Sequence, residues 1–321
     1  MKPLLPLAAI LLYWIISSQA QACTWFSFLN EQKHCFIGRT LEWPGDLNSE
    51  ITRVPRGYDF GKFKSQYGFV GVTHNGPFSD GLNEHGVAVS ALWLSESKYA
   101  DLSPDTTPIT DLIPLVLGKA KTVEEAVDLI HGRTFSGATS GVFGKIKITA
   151  HFEITDKSGK SVVVEFLDGK PTIKENKVGA LTNDPNFKKQ IEIWSKYDPK
   201  KFNEENFEAF DYSPEGRFCR MAAMNATQVH VPDDITAVNR AWSMVNTVDI
   251  PKGILYWRWV NNDPQFTSYS VVVDLTNRIY YFRTWNNYDI RKVDLKDINF
   301  AKTTYKADSM FTPADYEKFK F

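Results

Sequence analysis

The stretch Ser17-Ser18-Gln19-Ala20-Gln21-Ala22-Cys23-Thr24-Trp25 joins an apolar N-terminal segment to a long chain of mixed composition and places a cysteine at the boundary. Before it, Leu4 to Ile16 is almost wholly apolar and follows Lys2. A basic start, an apolar run and a small-residue A-x-A site are the three parts of a secretory signal peptide. We therefore predict that residues 1–22 are a signal peptide that is removed, and that the protein is exported to the periplasm or secreted.

The apolar run is too short for a permanent membrane anchor. A helix that spans a bilayer needs about 20 apolar residues, more than this run supplies. Lipoprotein signals favour a Leu-like residue three positions before the cysteine, where this chain has Ala20. We therefore expect no stable membrane anchor. A lipid-tethered protein with an acylated Cys23 stays open as the alternative.

A cut before Cys23 would give one residue both a thiol and a free α-amine. A neutral α-amine can accept the proton of its own side chain, which is how N-terminal nucleophiles are activated. The ordinary pKa of an α-amine is about 7.7 to 8.0 and that of a thiol about 8.5, so both protons are mobile near neutral pH. The sequence therefore predicts a cysteine nucleophile that needs no histidine.

Composition and charge are those of a globular protein without affinity for polyanions. The chain has a formal net charge of −1, with 43% apolar and 14% aromatic residues. This balance does not favour nucleic acid or an anionic membrane surface as a partner, and we expect neither. Residues 23–321 suffice for one large domain with a deep core, and we predict a single domain over that range.

The three cysteines, Cys23, Cys35 and Cys219, cannot all pair within one chain. Neither Cys35 nor Cys219 lies near another cysteine or a histidine at ligand spacing, and the histidines show no HExxH pattern. We therefore expect no metal and no cofactor. Both residues are predicted to be buried, inert thiols. A bridge between them, and a thiol hydrolase that pairs one of them with a histidine base, stay open as alternatives.

Two β-prone runs, Thr24 to Leu29 and His34 to Leu41, flank a short polar segment and predict a hairpin at the start of the mature chain. A symmetric register places Cys23 opposite Thr40 and leaves Arg39 one residue away. A bulge or a slip of one residue would bring the Arg39 guanidinium to the face of the thiol. Proximity of the two side chains is therefore expected, but the register is not fixed.

Further strands and helices are predicted in separate blocks. The predicted strands are Phe69 to Thr73, Gly86 to Leu94, Lys147 to Thr155, Ser161 to Leu167, Ser268 to Asp274 and Arg278 to Trp285. The predicted helices are Thr110 to Gly118, one that follows the capping box Thr122-Val123-Glu124-Glu125, Asn186 to about Tyr197, Arg217 to Met224 and Asp234 to Val245. Because strands and helices do not alternate strictly, this order favours an α+β fold over a doubly wound parallel sheet.

Five short segments that follow Cys23 matter in combination. In chain order they are Gly38-Arg39-Thr40-Leu41-Glu42-Trp43, Asp80-Gly81-Leu82-Asn83-Glu84-His85-Gly86, Leu181-Thr182-Asn183-Asp184-Pro185-Asn186-Phe187, Gly216-Arg217-Phe218 and Tyr280-Tyr281-Phe282-Arg283-Thr284-Trp285. Together they resemble the choloylglycine hydrolase and penicillin V acylase family. The resemblance implies an N-terminal nucleophile hydrolase fold, which is a four-layer αββα sandwich. It also implies hydrolysis of linear amide C–N bonds in small-molecule N-acyl amides through an acyl-enzyme.

The resemblance also implies roles for individual residues. Cys23 would be the nucleophile and, through its α-amine, the general base. Arg39 would lie beside the thiolate and lower its pKa. The side chain of Asn183 would donate to the oxyanion of the tetrahedral intermediate, with the backbone N–H of Trp93 as the second donor. Arg217 would order this polar cluster.

Glu42 departs from the family pattern, which usually has Asp as the carboxylate that holds the α-amine. Glutamate keeps the charge but adds a methylene group, so its geometry must differ. Trp93 makes the chain look like the exported Gram-negative branch, whose members take penicillin V or long-chain N-acyl homoserine lactones. Bile-acid conjugates stay open as substrates, and so does a catalytically impaired binding protein. Relatives tend to form homotetramers, although the oligomeric state is left open.

Taken singly, each of these residues also has an ordinary explanation. Arg39 and Glu42 would form a solvated ion pair at a strand end. Asn183 would be a turn residue, Arg217 a residue of the first turn of a helix, and Trp93 a core side chain. Burial and mutual contact in the folded protein distinguish these explanations from a shared site.

Overall fold

The computed structural model of the protein describes residues 23–45, 47–140, 146–202, 208–227, 229–257 and 263–316, so the predicted signal peptide lies outside the described residues. The strands are β1 (Cys23–Leu29), β2 (Cys35–Pro44), β3 (Ser49–Val54), β4 (Phe69–His74), β5 (Phe78–Asn83), β6 (Val87–Trp93), β7 (Thr107–Pro108), β8 (Phe135–Ser136), β9 (Thr139–Ser140), β10 (Ile146–Lys147), β11 (Ala150–Asp156), β12 (Ser161–Glu165), β13 (Thr172–Glu175), β14 (Ala180–Leu181), β15 (Leu255–Trp257), β16 (Asp263–Asp274), β17 (Ile279–Thr284), β18 (Asn287–Asp294) and β19 (Lys306–Ser309). The α-helices are α1 (Leu112–Lys119), α2 (Val123–His131), α3 (Phe187–Trp194), α4 (Pro214–Ala226) and α5 (Asp234–Asn246).

Most of the strands form two large sheets. The first sheet has the order β14-β1-β2-β16-β17-β18, with β15 paired to β16. The second has the order β13-β12-β11-β6-β5-β4-β3-β19. Every strand pair in both sheets is antiparallel. This arrangement confirms the α+β class, because a doubly wound fold would need parallel strands.

Helices cover the outer face of each sheet. α4 packs on β1 and β14, and α5 packs on β2 and β16, so both cover the first sheet. α1 packs on β5 and β6, and α2 on β11, so both cover the second. Between the sheets, Trp25 and Val271 of the first meet Val72 and Leu92 of the second in one buried cluster. The layers are therefore α, β, β and α, which confirms the predicted sandwich.

The first hairpin forms, but the symmetric register predicted for it is wrong by one residue. Cys23 pairs with Leu41 and not with Thr40. The connecting loop contains one residue more than expected, and Lys33 within it adopts the left-handed conformation with φ of 63°. Because residues two apart on a strand share a face, Arg39 lies on the same face of the sheet as the Cys23 thiol. This is the slip of one residue that the sequence left open.

The other predicted helices and strands are present with shifted bounds. Thr122 caps α2 as predicted, since its hydroxyl accepts the backbone N–H of Glu125 at 3.3 Å. The strands that were not predicted are β3, β5, β7, β8, β9, β13, β14, β15, β18 and β19. In β5 the sequence Ser79-Asp80-Gly81-Leu82-Asn83 is rich in residues that are rare in strands. Packing between the two sheets therefore overrides local preference there.

A carboxylic acid, Glu153, is buried inside the second sheet, where its side chain is 1% exposed. Its two carboxyl oxygens accept hydrogen bonds from Ser161 Oγ at 2.5 Å and from Asn176 Nδ2 at 3.0 Å. Burial raises the pKa of Glu153 to about 8, although both hydrogen bonds act in the opposite direction. The folded protein therefore holds a proton here that the unfolded chain would release at lower pH.

We expect this proton to make the free energy of unfolding fall as pH rises from about 4.5 to about 8, because only the folded state binds it in that window. Glu153→Gln carries no charge and can keep both contacts, with its Oε1 accepting from Asn176 Nδ2 and its Nε2 donating to Ser161 Oγ. This variant should match the wild type near pH 4.5 and exceed it in stability at pH 8, as measured by denaturant unfolding. The exposed Glu175→Gln serves as the control and should follow the wild-type profile. A Glu153→Gln profile parallel to the wild type would contradict the argument.

Candidate active site

Cys23 is the first residue of β1 and is 8% exposed. Both its backbone nitrogen and its backbone carbonyl oxygen are hydrogen-bonded to side chains. Arg217 Nη1 donates to its carbonyl oxygen at 2.7 Å, and its backbone nitrogen donates to Asn183 Oδ1. Its thiol lies on the face it shares with Trp25, which points toward the second sheet. The position of Cys23 is therefore fixed by neighbours from α4 and from the loop after β14.

Asn183 has a defined amide orientation. Its Oδ1 accepts from the Cys23 nitrogen and from Arg217 Nη2, the latter at 3.3 Å, so the oxygen assignment follows from two donors. Its Nδ2 donates to the Trp93 carbonyl oxygen at 3.3 Å. An amide NH₂ carries two hydrogens. The second hydrogen of Nδ2 therefore stays available beside the cavity that Asn183 lines.

Arg217 ties α4 to β1. It lies in the first turn of α4, which begins at Pro214 rather than at the predicted position, and Ser213 caps the helix by accepting the Gly216 N–H at 3.0 Å. Its side chain is fully buried and also donates from Nη1 to Thr24 Oγ1 at 2.6 Å. Such a residue is not an ordinary solvated first-turn arginine.

Two residues that the sequence did not single out hold the Asn183 loop. Gln190 on α3 donates from Nε2 to the carbonyl oxygens of Asn183 at 2.7 Å and Pro185 at 2.6 Å, and its Oε1 accepts the Thr182 N–H at 3.1 Å. His151 on β11 donates from Nε2 to the Thr182 carbonyl oxygen at 2.6 Å. Both are buried. The partner of His151 is 31 positions away in the chain, and those of Gln190 lie in the loop before its helix; neither residue belongs to a motif that the sequence singled out.

Arg39 is 2% exposed and reaches from the first sheet into the second. Its Nη1 donates to Asp80 Oδ2 at 2.7 Å and to the Tyr269 hydroxyl at 2.6 Å, and its Nη2 donates to the Ala91 carbonyl oxygen at 2.8 Å. The hydroxyls of Tyr269 and Tyr280 both donate to the Asp80 carboxylate. The carboxylate partner of Arg39 is therefore Asp80, and the alternative of a solvated pair with Glu42 is wrong.

A bulge in β16 decides which face of the first sheet two of these side chains occupy. Thr267 pairs with Glu42, but the next pair is Tyr269 with Leu41. Without the extra residue, Thr267 and Tyr269 would share a face. The bulge therefore puts the Thr267 hydroxyl on the face of Glu42 and the Tyr269 hydroxyl on the face of Arg39.

Glu42 is buried on the helix-covered face, where its Oε1 accepts from Thr267 Oγ1 at 2.7 Å. Its Oε2 is also buried and makes no hydrogen bond of normal geometry within the described part of the chain. Burial raises the pKa of Glu42 to about 7, against the opposing effects of the Arg217 charge and the Thr267 hydrogen bond. The Thr40 hydroxyl also favours the ionised form, so the site contains a buried carboxylate whose Oε2 has no hydrogen bond of normal geometry among the described residues.

The pKa of the Cys23 thiol is shifted in opposite directions by burial and by the neighbouring charges. Burial raises the pKa of the thiol above its ordinary value, and this is the largest effect. The positive charge of Arg39 lowers the pKa, whereas the negative charge of Glu42 raises it. The net direction is upward, so the protonated thiol is favoured.

The backbone N–H of Trp93 points toward the Cys23 site. The Leu94 N–H donates to the Thr149 carbonyl on the β11 side of β6. Because backbone groups alternate along a strand, the N–H and C=O of Trp93 point to the opposite edge. The Asn183 amide binds the Trp93 carbonyl at that edge, and Arg39 binds the Ala91 carbonyl there. The Trp93 N–H therefore points toward the region between Asn183 and Arg39.

An open cavity begins at Cys23 and holds about 730 Å³ of empty space, counted with its mouth. The apolar residues among those that line it include Leu41, Leu47, Phe78, Leu92 and Ile148. The rings of Trp43 and Trp93 also line it, with their centroids 6.1 Å apart and their planes tilted by 53°. The cavity is therefore suited to an apolar or aromatic group.

A model of linear amide C–N hydrolases, the choloylglycine hydrolase family, matches residues 23–309. The chain belongs to this family. It is therefore an amidohydrolase that acts on linear amides. The match begins at the residue whose thiol faces the cavity.

The chain is similar in sequence to a penicillin V acylase and to a bile salt hydrolase/transferase. The chain is 26% identical to a penicillin V acylase of Pectobacterium atrosepticum, with 89% of this chain and 84% of that protein aligned. It is 23% identical to a bile salt hydrolase/transferase of Clostridium perfringens, over 86% of this chain and 93% of that protein.

Two solved structures share the fold of this choloylglycine hydrolase family member. A mutant of the conjugated bile acid hydrolase of Clostridium perfringens superposes with a TM-score of 0.81, at 21% identity over 93% of this chain and 100% of that one. A penicillin V acylase of Agrobacterium tumefaciens superposes with a TM-score of 0.72, at 23% identity over 89% and 90% of the two chains.

The remaining cysteines of this family member lie apart from the site. Cys35 and Cys219 are buried, free thiols, so the bridge between them that the sequence left open is wrong. Burial raises the pKa of both thiols, that of Cys219 to about 11. In the described part of the chain, no cluster of three ligating side chains could hold a metal ion.

Among the described helices, none has the length and apolar character needed to cross a membrane.

We expect Arg39→Met to lower the free energy of unfolding by about 3 to 5 kcal/mol, because Asp80 would stay buried without its counter-charge. Adding Asp80→Asn should restore much of that stability, measured by denaturant unfolding. The pKa of the Cys23 thiol should rise further in both variants, because the Arg39 charge that lowers it is gone. Alkylation of Cys23 by iodoacetamide, followed by peptide mass spectrometry, should therefore be about tenfold slower or more in both. Wild-type alkylation rates in the double variant would contradict this role of Arg39.

Proposed function

We propose that this protein is an exported N-terminal cysteine amidohydrolase of the penicillin V acylase type. Its substrates would be N-acyl amides with an apolar or aromatic acyl group, including long-chain N-acyl homoserine lactones. The observation that carries the proposal is the placement of Cys23, whose thiol faces the apolar cavity while its backbone nitrogen rests on Asn183 Oδ1. The start of the family match at residue 23 supports a cut before this residue.

Cleavage before Cys23 would supply the base that the uncleaved chain lacks. The backbone nitrogen of Cys23 is an amide before the cut and has no basic lone pair. After the cut it becomes an α-amine that can take the thiol proton. Arg39 then stabilises the thiolate, since its charge already lowers the pKa of the thiol. The thiolate attacks the amide carbonyl carbon of the substrate.

The tetrahedral intermediate carries a negative charge on the former carbonyl oxygen. The second hydrogen of Asn183 Nδ2 and the backbone N–H of Trp93 would donate to it, because both groups adjoin the region in front of Cys23. The α-ammonium returns its proton to the leaving amine, which departs and leaves a thioester. Water then attacks the thioester, with the α-amine again acting as base, and the free acid is released.

Glu42 would be the counter-charge of the α-ammonium. Its Oε2 is a buried acceptor without a hydrogen bond of normal geometry among the described residues, and an ammonium group on Cys23 is a donor with the right charge. Its electrostatic effect on the Cys23 thiol indicates that the two residues are close. The longer side chain of glutamate relative to aspartate would then be accommodated by the Thr267 hydrogen bond on Oε1.

The mature N-terminus and the nucleophile are tested together. We expect intact mass spectrometry of the protein purified from the exported fraction to show a chain that begins at Cys23. Cys23→Ser should fold but lose at least about a thousandfold in kcat, since a hydroxyl is a far weaker nucleophile at neutral pH. Release assays should use penicillin V, an N-acyl homoserine lactone and a bile-acid conjugate, with Cys35→Ser as the control that keeps full activity. A chain that starts elsewhere, or an acylated Cys23, would overturn the proposal.

The pH profile tests Glu42. A nearby carboxylate raises the pKa of an ammonium group, so its removal lowers that pKa. Glu42→Gln should therefore shift the acidic limb of the kcat/KM profile downward by about one pH unit and lower kcat. Glu42→Asp keeps the charge and should leave the acidic limb within a few tenths of a unit. An unchanged acidic limb in Glu42→Gln would show that Glu42 does not pair with the amine.

A further inference from the structure

The cavity at Cys23 contains a polar side chain that the amide hydrolysis does not use. His74 is the last residue of β4, is 6% exposed and lines the cavity together with Leu47, Phe78 and Arg39. Along β4 it shares a face with Val72, which points into the space between the two sheets. An imidazole therefore lines an otherwise largely apolar acyl pocket.

The two ring nitrogens of His74 have different surroundings. Nδ1 is hydrogen-bonded to Ser49 Oγ at 3.1 Å, on the neighbouring strand β3. Nε2 is buried and has no hydrogen-bonding partner among the described residues. A buried polar group left unpaired costs free energy, so a partner that enters the cavity is favoured. That partner is water in the free enzyme and a group of the substrate in the complex.

The neighbouring side chains do not supply this partner. The Tyr269 ring lies 6.0 Å from the His74 ring, but the Tyr269 hydroxyl is engaged with Ser79 Oγ at 2.8 Å and with Asp80 at 2.6 Å. The Arg39 guanidinium binds Asp80, Tyr269 and a backbone carbonyl. Arg39 Nε also has no hydrogen-bonding partner among the described residues, but none of these neighbouring groups is hydrogen-bonded to His74 Nε2, which is therefore available to the ligand.

His74 is suited to binding and not to proton transfer. Burial lowers the pKa of its imidazole to about 3, and the positive charge of Arg39 acts in the same direction. The ring is therefore neutral at physiological pH and too weak a base to hold a substrate proton. A neutral imidazole offers one hydrogen-bonding atom of fixed direction.

We propose that His74 is a specificity-determining residue that hydrogen-bonds an oxygen substituent on the acyl chain of the substrate through Nε2. The preferred substrates are then amides of hydroxylated fatty acids, and plain hydrocarbon acyl chains are poorer. This inference rests on the proposed function, because it takes the cavity as the acyl pocket of that same reaction.

A hydroxyl is the substituent that fits either form of the ring. If Nδ1–H donates to Ser49, Nε2 is an acceptor and binds the hydroxyl hydrogen. If the Ser49 hydroxyl donates to Nδ1, Nε2–H is a donor and binds the hydroxyl oxygen. A site that hydrogen-bonds a hydroxyl discriminates strongly against the analogue that lacks it, because the buried protein group is then left unpaired.

The test compares amides of one amine with decanoic acid and with decanoic acids hydroxylated at carbon 3, 5 or 7. In the wild-type enzyme, at least one hydroxylated amide should have a kcat/KM about tenfold above that of the plain decanoyl amide. His74→Asn keeps an amide near the position of Nδ1 for Ser49 but has no group at the position of Nε2, so it should lose the preference. His74→Gln extends to the position of Nε2 and should keep part of it.

These outcomes separate the two proposals. Hydrolysis of all four amides with equal kcat/KM would overturn the role of His74 and leave the proposed function standing. Absence of hydrolysis of every amide would count against the proposed function.

Binding of the product acids tests His74 without turnover and without a substitution. In the ¹⁵N spectrum of wild-type protein, the resonance of His74 Nε2 should move with a hydroxydecanoic acid and not with decanoic acid, and equal movement with both would overturn the inference.

Discussion

The ion pair between Arg39 and Asp80 is the interaction on which the site depends. It joins β2 of the first sheet to β5 of the second at a depth where neither side chain is exposed by more than a few per cent. A charge buried so deeply is tolerated only with a partner and further hydrogen bonds, which Tyr269 and Tyr280 supply. The cluster holds a fixed cation on the face of the sheet where the Cys23 thiol lies.

Strand geometry distributes the chemistry over two faces of the first sheet. The thiol and Arg39 face the second sheet, whereas Thr24 and Glu42 face the helices, where Arg217 lies. Cys23 is at the end of β1, so its backbone nitrogen and carbonyl can be reached by groups of α4 and of the Asn183 loop. The bulge in β16 maintains this separation of the two faces, because it places the side chain of Thr267 on the helix-covered face and that of Tyr269 on the face toward the second sheet. The Cys23 thiol, the Arg39 cation and the groups that bind the Cys23 backbone thus meet at one residue without competing for space.

Burial raises the pKa of the two acidic groups of the site and lowers that of its histidine, so it favours the neutral form of all three. It favours the neutral forms of the Cys23 thiol and of Glu42, which suits a chain that still lacks its α-amine. It also keeps His74 neutral. In the proposed mature enzyme, the new ammonium would favour the ionised form of Glu42, and the amine would draw the proton from the thiol. The activation step is then an electrostatic consequence of one cleaved peptide bond.

The sequence by itself determined the start of the family motifs at Cys23, the hairpin, the helices and the segments that carry Arg39, Glu42, Asn183 and Arg217, because these depend on local patterns and on motif order. It did not determine the hairpin register, which a single left-handed residue in the loop decides. It also missed β5 and the contacts that Asp80, Tyr269, Gln190 and His151 make around the site. Most of those side chains act through partners tens to hundreds of positions away in the chain, and Gln190 acts on the loop just before its own helix. Only the packing of two sheets and their helices brings such partners within hydrogen-bonding distance, and no local pattern encodes that distance.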